Sequence, residues 1–135
     1  MISDQGIDLE SRKKANYVGA PAIFALELEC MHINAAFGEF GCYLVGSSLE
    51  RPDWRDVDVV FIMEDTEFDV LFPNAGKNWE FDHRWLLLTV MISERLSRIT
   101  NLPIDFKFQP QTWANTHHQG SRSAIGMNFA KVGIK

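Results

Sequence analysis

Two segments decide the fold of this chain: YLVGSS at residues 43–48 and DVDVVFI at residues 56–62. The first is an apolar run that ends in a Gly-Ser pair, and the second is an apolar run that opens with Asp56 and Asp58. Because side chains two apart on a strand share a face, these carboxylates are expected to lie side by side, with the intervening apolar side chains in the core. Adjacent like charges repel, and a divalent cation with oxygen ligands relieves the repulsion. The pattern predicts strand, tight turn and strand with a candidate metal site; two solvated aspartates at an exposed strand end are the alternative.

A further carboxylate lies in a third apolar segment, Ile104 to Gln109. Alternation places Asp105 and Lys107 on the same face as Gln109, opposite the apolar residues of the segment. An aspartate in such a strand is costly unless it has a partner. Two explanations stay open: Asp105 forms an ordinary surface ion pair with Lys107, or it completes a metal site while Lys107 contacts phosphate.

The order of these features resembles the nucleotidyltransferase superfamily that includes DNA polymerase beta, and most of all its small stand-alone bacterial and archaeal members. The shared pattern is Gly46-Ser47 after a strand, RPD at residues 51–53, DVD at residues 56–58 and the later Asp105, within residues 41–109. An ordered set of a turn, a pair and a later single Asp is more specific than one Asp-x-Asp motif. The connection after Gly46-Ser47 is shorter than the family pattern, which leaves Arg51 and Arg55 as candidates for contact with the distal phosphates.

The resemblance implies metal-dependent transfer of a nucleoside monophosphate from a nucleoside triphosphate, with ATP as the leading candidate, to a hydroxyl group with release of pyrophosphate. Its metal would be Mg²⁺, or Mn²⁺ in its place, and the acceptor a hydroxyl of a protein, an RNA end or a small molecule. Carboxylates on adjacent strands that hold two cations suit this reaction. By the same resemblance, the catalytic and metal-binding residues are Asp56, Asp58 and Asp105, and the phosphate-binding residues are Gly46, Ser47, Ser48, Arg55 and Lys107.

Two other classes of protein remain as alternatives. One is a nucleotidyltransferase-like binding module without turnover, which acts through a protein partner in a toxin–antitoxin or phage-related setting; the short connection after Gly46-Ser47 favours it. The other is a sugar transferase that uses Asp-x-Asp to hold a nucleotide-sugar with its metal, although such an enzyme does not need the Gly-Ser turn. A thermal-shift titration that compares a nucleotide-sugar with a triphosphate distinguishes the sugar transferase from the nucleotidyltransferase.

Composition and charge restrict the setting. A chain of 135 residues is expected to be one domain, residues 1–135, and its net charge of −5 disfavours a sequence-independent grip on duplex DNA. No apolar run has the length of a membrane span and no signal segment is evident, so no membrane association and a cytoplasmic location are expected, with Cys30 and Cys42 as reduced thiols. A homo-oligomer is left open. No acidic residue follows Asp105, and the chain after it carries Lys107, His117, His118, Arg122, Lys131 and Lys135. Residues 110–135 are expected to form a basic C-terminal segment.

The fold class expected is α/β, in the α+β sense: a small twisted mixed sheet of three to five strands with helices mainly on one face. An apolar stripe predicts a first helix from Pro21 to a stop at Gly38 in the left-handed conformation. A second helix is predicted from about Trp79 or Asp82 to Thr100, with Phe81 and Ile99 in its buried stripe. Residues 1–20 are expected to be an arm or a short helix, and residues 64–69 a solvated acidic loop.

Overall fold

A computed structural model of the chain describes residues 16–38, 40–76 and 78–126. The predictions for residues 1–15 and for the basic segment beyond residue 126 lie outside this part; residues 16–19 are irregular. The strands are β1 (Gly41–Val45), β2 (Val57–Met63), β3 (Ile104–Pro110) and β4 (Ser123–Ile125). The helices are α1 (Ala22–Phe37), α2 (Ser47–Glu50), α3 (Asp65–Leu71), α4 (His83–Thr100) and α5 (Gln111–His117), with a 3-10 turn at Trp79–Phe81.

The four strands form one mixed sheet in the order β3-β2-β1-β4. β1 pairs antiparallel with β2 and β4, whereas β2 and β3 run parallel. Parallel neighbours need a long crossover, which α3, the 3-10 turn and α4 supply between β2 and β3. The predicted α+β fold with a small mixed sheet is confirmed. β4 was not predicted, because three residues give too short an alternation to recognise.

One face of the sheet is covered by the two long helices, α1 and α4. The alternate residues of β2 and β3 that point to this face are almost without solvent exposure. Phe61 and Phe108 pack edge to face with ring centroids 5.7 Å apart, and Phe37 of α1 lies against both. Burial of large aromatic side chains contributes most of the stability of such a core. The opposite face has a smaller cluster, in which Ala114 of α5 covers Val45, Val60 and Ile62.

Helix α4 also protects the outer edge of the sheet. β3 is the edge strand, so one side of its backbone has no neighbouring strand. Ser93 donates to the Phe106 carbonyl at 3.3 Å and accepts from the Phe106 N–H at 2.9 Å. Ser97, one turn further along, bonds in the same way to the N–H and the carbonyl of Ile104, and the Trp85 Nε1–H donates to the Phe108 carbonyl. Side chains of the helix thus take the place of a neighbouring strand.

The structure differs from the prediction at the end of α1 and at residues 64–69. Gly38 ends α1 with a φ of 140° and ψ of −152°, a region open to glycine but outside the left-handed helical one. The expected acidic loop at residues 64–69 is wrong, since α3 occupies it; the Asp65 carboxylate accepts from both the backbone N–H and the hydroxyl of Thr112. This pairing fixes α3 to the start of α5.

Helix α4 begins at His83, directly after Asp82, which is the later of the two predicted starts. Asp82 is buried and caps the helix by accepting from the Trp85 N–H at 3.0 Å, and it also accepts from the Asn74 N–H at 2.8 Å. Phe81 precedes this cap in the 3-10 turn, so its ring is 72% exposed instead of buried. Ile99 is also 39% exposed, so the buried stripe of the helix is shorter at both ends than its periodicity predicts.

Candidate functional site

Asp58 and Asp105 are neighbours on the face of the sheet that α1 and α4 leave uncovered. They occupy paired positions in the parallel strands β2 and β3. Paired positions of neighbouring strands point to the same side, about 4.8 Å apart in the backbone. Both side chains are half-buried. The fold therefore brings together two carboxylates that are 47 positions apart in the sequence.

The Gly-Ser turn lies beside this pair because β1 pairs with β2. Val45, the last residue of β1, is opposite Asp58, and Gly46 follows with a φ of 81°. A Cβ atom at Gly46 would lie 2.5 Å from Asp58 Oδ2, closer than side-chain contacts allow. The backbone angle therefore favours glycine here, and any larger residue would also have to displace the end of the Asp58 side chain. The exposed backbone of Gly46 is open to a ligand that contacts Asp58.

Asp58 carries the less compensated negative charge of the two aspartates. Burial, then the negative charge of Asp105, raise the pKa of the Asp58 carboxyl; Lys107 opposes the rise, and Asp56 adds a smaller contribution to it. Lys107 Nζ lies 3.3 Å from Asp105 Oδ2 and is half-exposed, as is Asp105. The ion pair with Lys107 predicted as one explanation for Asp105 is present. Asp58 has no such cation in contact among the described residues.

A cavity of about 530 Å³ opens on this pair. Its volume lies within the range of small-molecule sites in proteins. One end carries Asp58, Asp105 and Lys107, with Gly46 at its border, while Glu80, next to Trp79 in the chain, is a further carboxylate of the lining. The other end is aromatic and polar, and its lining includes Trp79, Trp85, Trp113, Gln109 and His118.

Several residues predicted for the site lie elsewhere. Asp56 is exposed in the bend before β2, which begins one residue later than expected, and it does not line the cavity. Arg55 is also exposed and outside the cavity, and Ser47 is half-buried at the start of α2 without lining it. Ser48 is fully buried and does not line the cavity, and its hydroxyl has no hydrogen-bond partner among the described residues. Arg51 pairs with Asp53 at 3.3 Å instead of facing the cavity.

The aromatic end of the cavity was not identified from the sequence. Trp79 and Trp113 contact each other with ring centroids 4.7 Å apart, and His117 stacks flat on Trp113 at 3.7 Å. His118 lines the cavity, but Arg122 bonds to Asn115 and lies over the Tyr43 ring, away from it. The sequence offers two signals for this end: the position of Gln109 on the polar face of β3, and the aromatic residues of the predicted second helix, for which core packing is the favoured role and a base pocket the alternative. The tryptophans come from elements that meet β3 only in the tertiary structure.

The residues present fit a magnesium ion only in part. Among residues 16–38, 40–76 and 78–126, no group of three or more His, Cys, Asp or Glu side chains is arranged to hold a metal ion. Mg²⁺, however, is commonly held by one or two carboxylates together with the phosphates of a substrate. Asp58 and Asp105 are two neighbouring carboxylates with repulsion between them. They suit a cation that arrives with a triphosphate, and they do not form a preformed three-ligand site.

Comparisons of the chain with protein-family models, with curated proteins and with solved structures give no match. None of the helices in the described part combines the length and the apolarity that crossing a lipid bilayer requires. The geometry of the cavity is therefore what supports a function for this chain.

Proposed function

We propose that the protein is a metal-dependent nucleotidyltransferase that uses a nucleoside triphosphate, with ATP as the first candidate. The observation that carries this proposal is the pairing of Asp58 with Asp105 beside the Gly46 turn, at the mouth of the cavity. The three features come from β1, β2 and β3 and converge on one side of one sheet. An isolated Asp-x-Asp motif would not need the turn or the later aspartate.

Different residues along the cavity would have different roles in the reaction. Asp58 and Asp105 would hold Mg²⁺ or Mn²⁺ with the phosphates, and a bound cation would neutralise negative charge on the reacting phosphate and make the attacking hydroxyl more acidic. Gly46 allows phosphate oxygens to approach the backbone closely. Lys107 is half-exposed on a flexible stem, so its ammonium group can exchange Asp105 for a phosphate. Asp56 remains the candidate third carboxylate, one residue before the strand.

A second candidate function is a binding module of the same fold without turnover. The specific observation in its favour is that no three-ligand group is assembled among the described residues, while Lys107 already neutralises Asp105. Such a module would bind a nucleotide, or a protein partner, and release it unchanged. The choice between the two functions also decides what else the protein binds, because an enzyme needs an acceptor and a binding module needs a partner. That partner is another protein or a second copy of this chain.

The test combines a binding measurement with a transfer measurement. Wild-type protein, Asp58→Asn and the control Asp69→Asn, which changes an exposed aspartate of α3, are each mixed with ATP and Mg²⁺. At a ligand concentration of 100 times Kd, binding stabilises the folded state by about 2.7 kcal/mol, which raises Tm by several degrees. We expect this rise in wild type and in Asp69→Asn but not in Asp58→Asn. An equal rise in all three, or none in any, contradicts the site.

Transfer is then followed with α-labelled ATP and three acceptor pools: the protein itself, mixed RNA and a small-molecule extract. Metal-dependent label on any pool, lost in Asp58→Asn, supports the nucleotidyltransferase. Binding with no label on any pool favours the binding module. A larger rise in Tm with a nucleotide-sugar than with ATP favours the sugar transferase.

A further inference from the structure

The polar side chains of β3 form a row along the floor of the cavity. Asp105, Lys107 and Gln109 alternate with the buried residues of the strand, and all three line the cavity. Side chains at these positions extend over about 13 Å, since each residue of a strand advances by about 3.3 Å. The row changes from negative to positive to neutral along its length. The two ends of the cavity therefore present different chemistry to one ligand.

Gln109 is the unusual member of this row because it is a buried amide with a free donor. Its side chain is 3% exposed, and its Oε1 accepts a hydrogen bond from His118 Nε2 at 3.0 Å. Its NH₂ group has no hydrogen-bond partner among the described residues, and it is not one of their fully buried unpaired atoms, which are the hydroxyls of Ser48 and Thr89. It is therefore accessible from the cavity that Gln109 lines. The contact with His118 orients the amide so that Oε1 is used and Nε2 is left over. A ligand in the cavity that offers an acceptor atom would complete the pairing.

The state of His118 is consistent with this orientation. Burial first, then the positive charge of Arg122 and the ring of His117, lower the pKa of His118. The imidazole is therefore neutral at pH 7, with one N–H that it donates to Gln109. With the proton of the neutral ring on Nε2, the Gln109 Oε1 accepts it and the NH₂ group is left for another partner.

Three indole rings line the same cavity as this donor. Trp79 and Trp113 line the same end of the cavity, as does Trp85. Their positions are fixed by the stack of His117 on Trp113 and by the hydrogen bond of Trp85 to the Phe108 carbonyl. Indole surfaces beside an oriented amide suit a planar ring with acceptor atoms on its edge, since stacking recognises the face and the amide recognises the edge.

We propose that this end of the cavity binds the base of the nucleotide, with the Gln109 NH₂ group donating to a ring nitrogen or carbonyl oxygen on its edge. This inference rests on the proposed function, because the triphosphate then occupies the Asp58–Asp105 end. The ribose lies between the two ends, beside Lys107. Gln109 is a binding residue, held in position by His118.

The two ends can be tested with two separate probes, adenosine for the base and inorganic tripolyphosphate with Mg²⁺ for the phosphates. Isothermal calorimetry measures both on wild type, on Gln109→Leu and on the control Gln111→Leu, which changes a glutamine that borders another surface depression. We expect Gln109→Leu to weaken adenosine about tenfold, a loss that corresponds to roughly one hydrogen bond and its unpaired partner. Tripolyphosphate affinity should change less than twofold in both variants. Gln109→Glu, which keeps the shape and removes the donor, repeats the test if the leucine variant does not fold.

The outcomes separate this inference from the proposed function. If adenosine binds and depends on Gln109 while tripolyphosphate does not bind, the base site stands and the nucleotidyltransferase proposal fails. If tripolyphosphate binds and adenosine does not, the base site is overturned and the phosphate site stands. The base site is also overturned if adenosine affinity in Gln109→Leu and Gln109→Glu equals that of wild type. Quenching of tryptophan fluorescence by adenosine, retained in Trp54→Phe, supports stacking at this end, because the Trp54 indole bonds to the Tyr17 carbonyl and does not line the cavity. Quenching that disappears in Trp54→Phe overturns it.

Discussion

The two faces of the sheet are built from alternate residues of the same strands, yet they differ in almost every property. The face under α1 and α4 is dry and apolar, with Phe61, Phe106 and Phe108 fully buried. The other face carries Asp58 and Asp105 in register, and only part of it is covered, by α5. The comparison shows that one face of β2 and β3 provides stability, while the other places charges in positions that oppose stability and suit a ligand.

The largest expected difference between the faces comes from two neighbouring residues of β3. Phe106→Ala leaves a cavity in the covered face and is expected to lower the free energy of unfolding by about 3–5 kcal/mol. Lys107→Ala changes a half-exposed side chain on the other face and should cost less than about 1 kcal/mol. Urea denaturation of both variants measures the two values. Similar losses for both would mean that the two faces contribute equally.

A second test concerns the turn that borders the open face. Gly46→Ala forces a side chain into a φ of 81° and against Asp58, so a loss of about 2–3 kcal/mol is expected. Gly120→Ala is the control, since a Cβ there meets nothing within 4 Å, and its effect should be within about 0.5 kcal/mol. Thermal unfolding compares the two. Equal stability of both variants would show that Asp58 and Gly46 are not in close approach.

A third test concerns the edge where the two faces meet. Ser93→Ala leaves both backbone groups of Phe106 without their side-chain partner and is expected to cost about 1–2 kcal/mol. Hydrogen exchange at the Phe106 amide should become faster, whereas Ser121→Ala, at an exposed position, should leave it unchanged. Unchanged exchange in Ser93→Ala would show that α4 does not protect the edge.

The smallest effect is expected to have the opposite sign. The pKa of the Asp58 carboxyl is raised from 3.8 in the folded state, so the folded state binds the proton more tightly than the unfolded state does. The pH window runs from 3.8, the pKa in the unfolded chain, up to the raised pKa in the folded protein. The free energy of unfolding therefore falls as pH rises through this window. Asp58→Asn should be more stable than wild type above the window, by less than about 1 kcal/mol for a half-exposed group, and equal to it below. Denaturation at pH 3 and pH 7 measures this, and lower stability of the variant at pH 7 would contradict it.

The sequence predicted the parts of the fold that depend on local periodicity. Alternation in β2 and β3 correctly placed Asp58, Asp105 and Lys107 on the face opposite the phenylalanines of the core, because a period of two is fixed by strand geometry. The same reasoning failed for Phe81, where a buried N-terminal cap at Asp82 ends the stripe early. Periodicity also gave no indication of the burial of Ser48, which depends on residues that are distant in the chain.

The sequence by itself determined that this chain forms a small α+β sheet whose strands carry carboxylates on one face and apolar side chains on the other. Only the tertiary structure decided that Asp58 and Asp105 are paired in register, that Asp56 remains outside the cavity, and that three tryptophans and Gln109 form its other end. The physical reason is that alternation within a strand is set by neighbouring residues. Register between strands and the packing of separate elements are instead set by contacts between residues far apart in the chain.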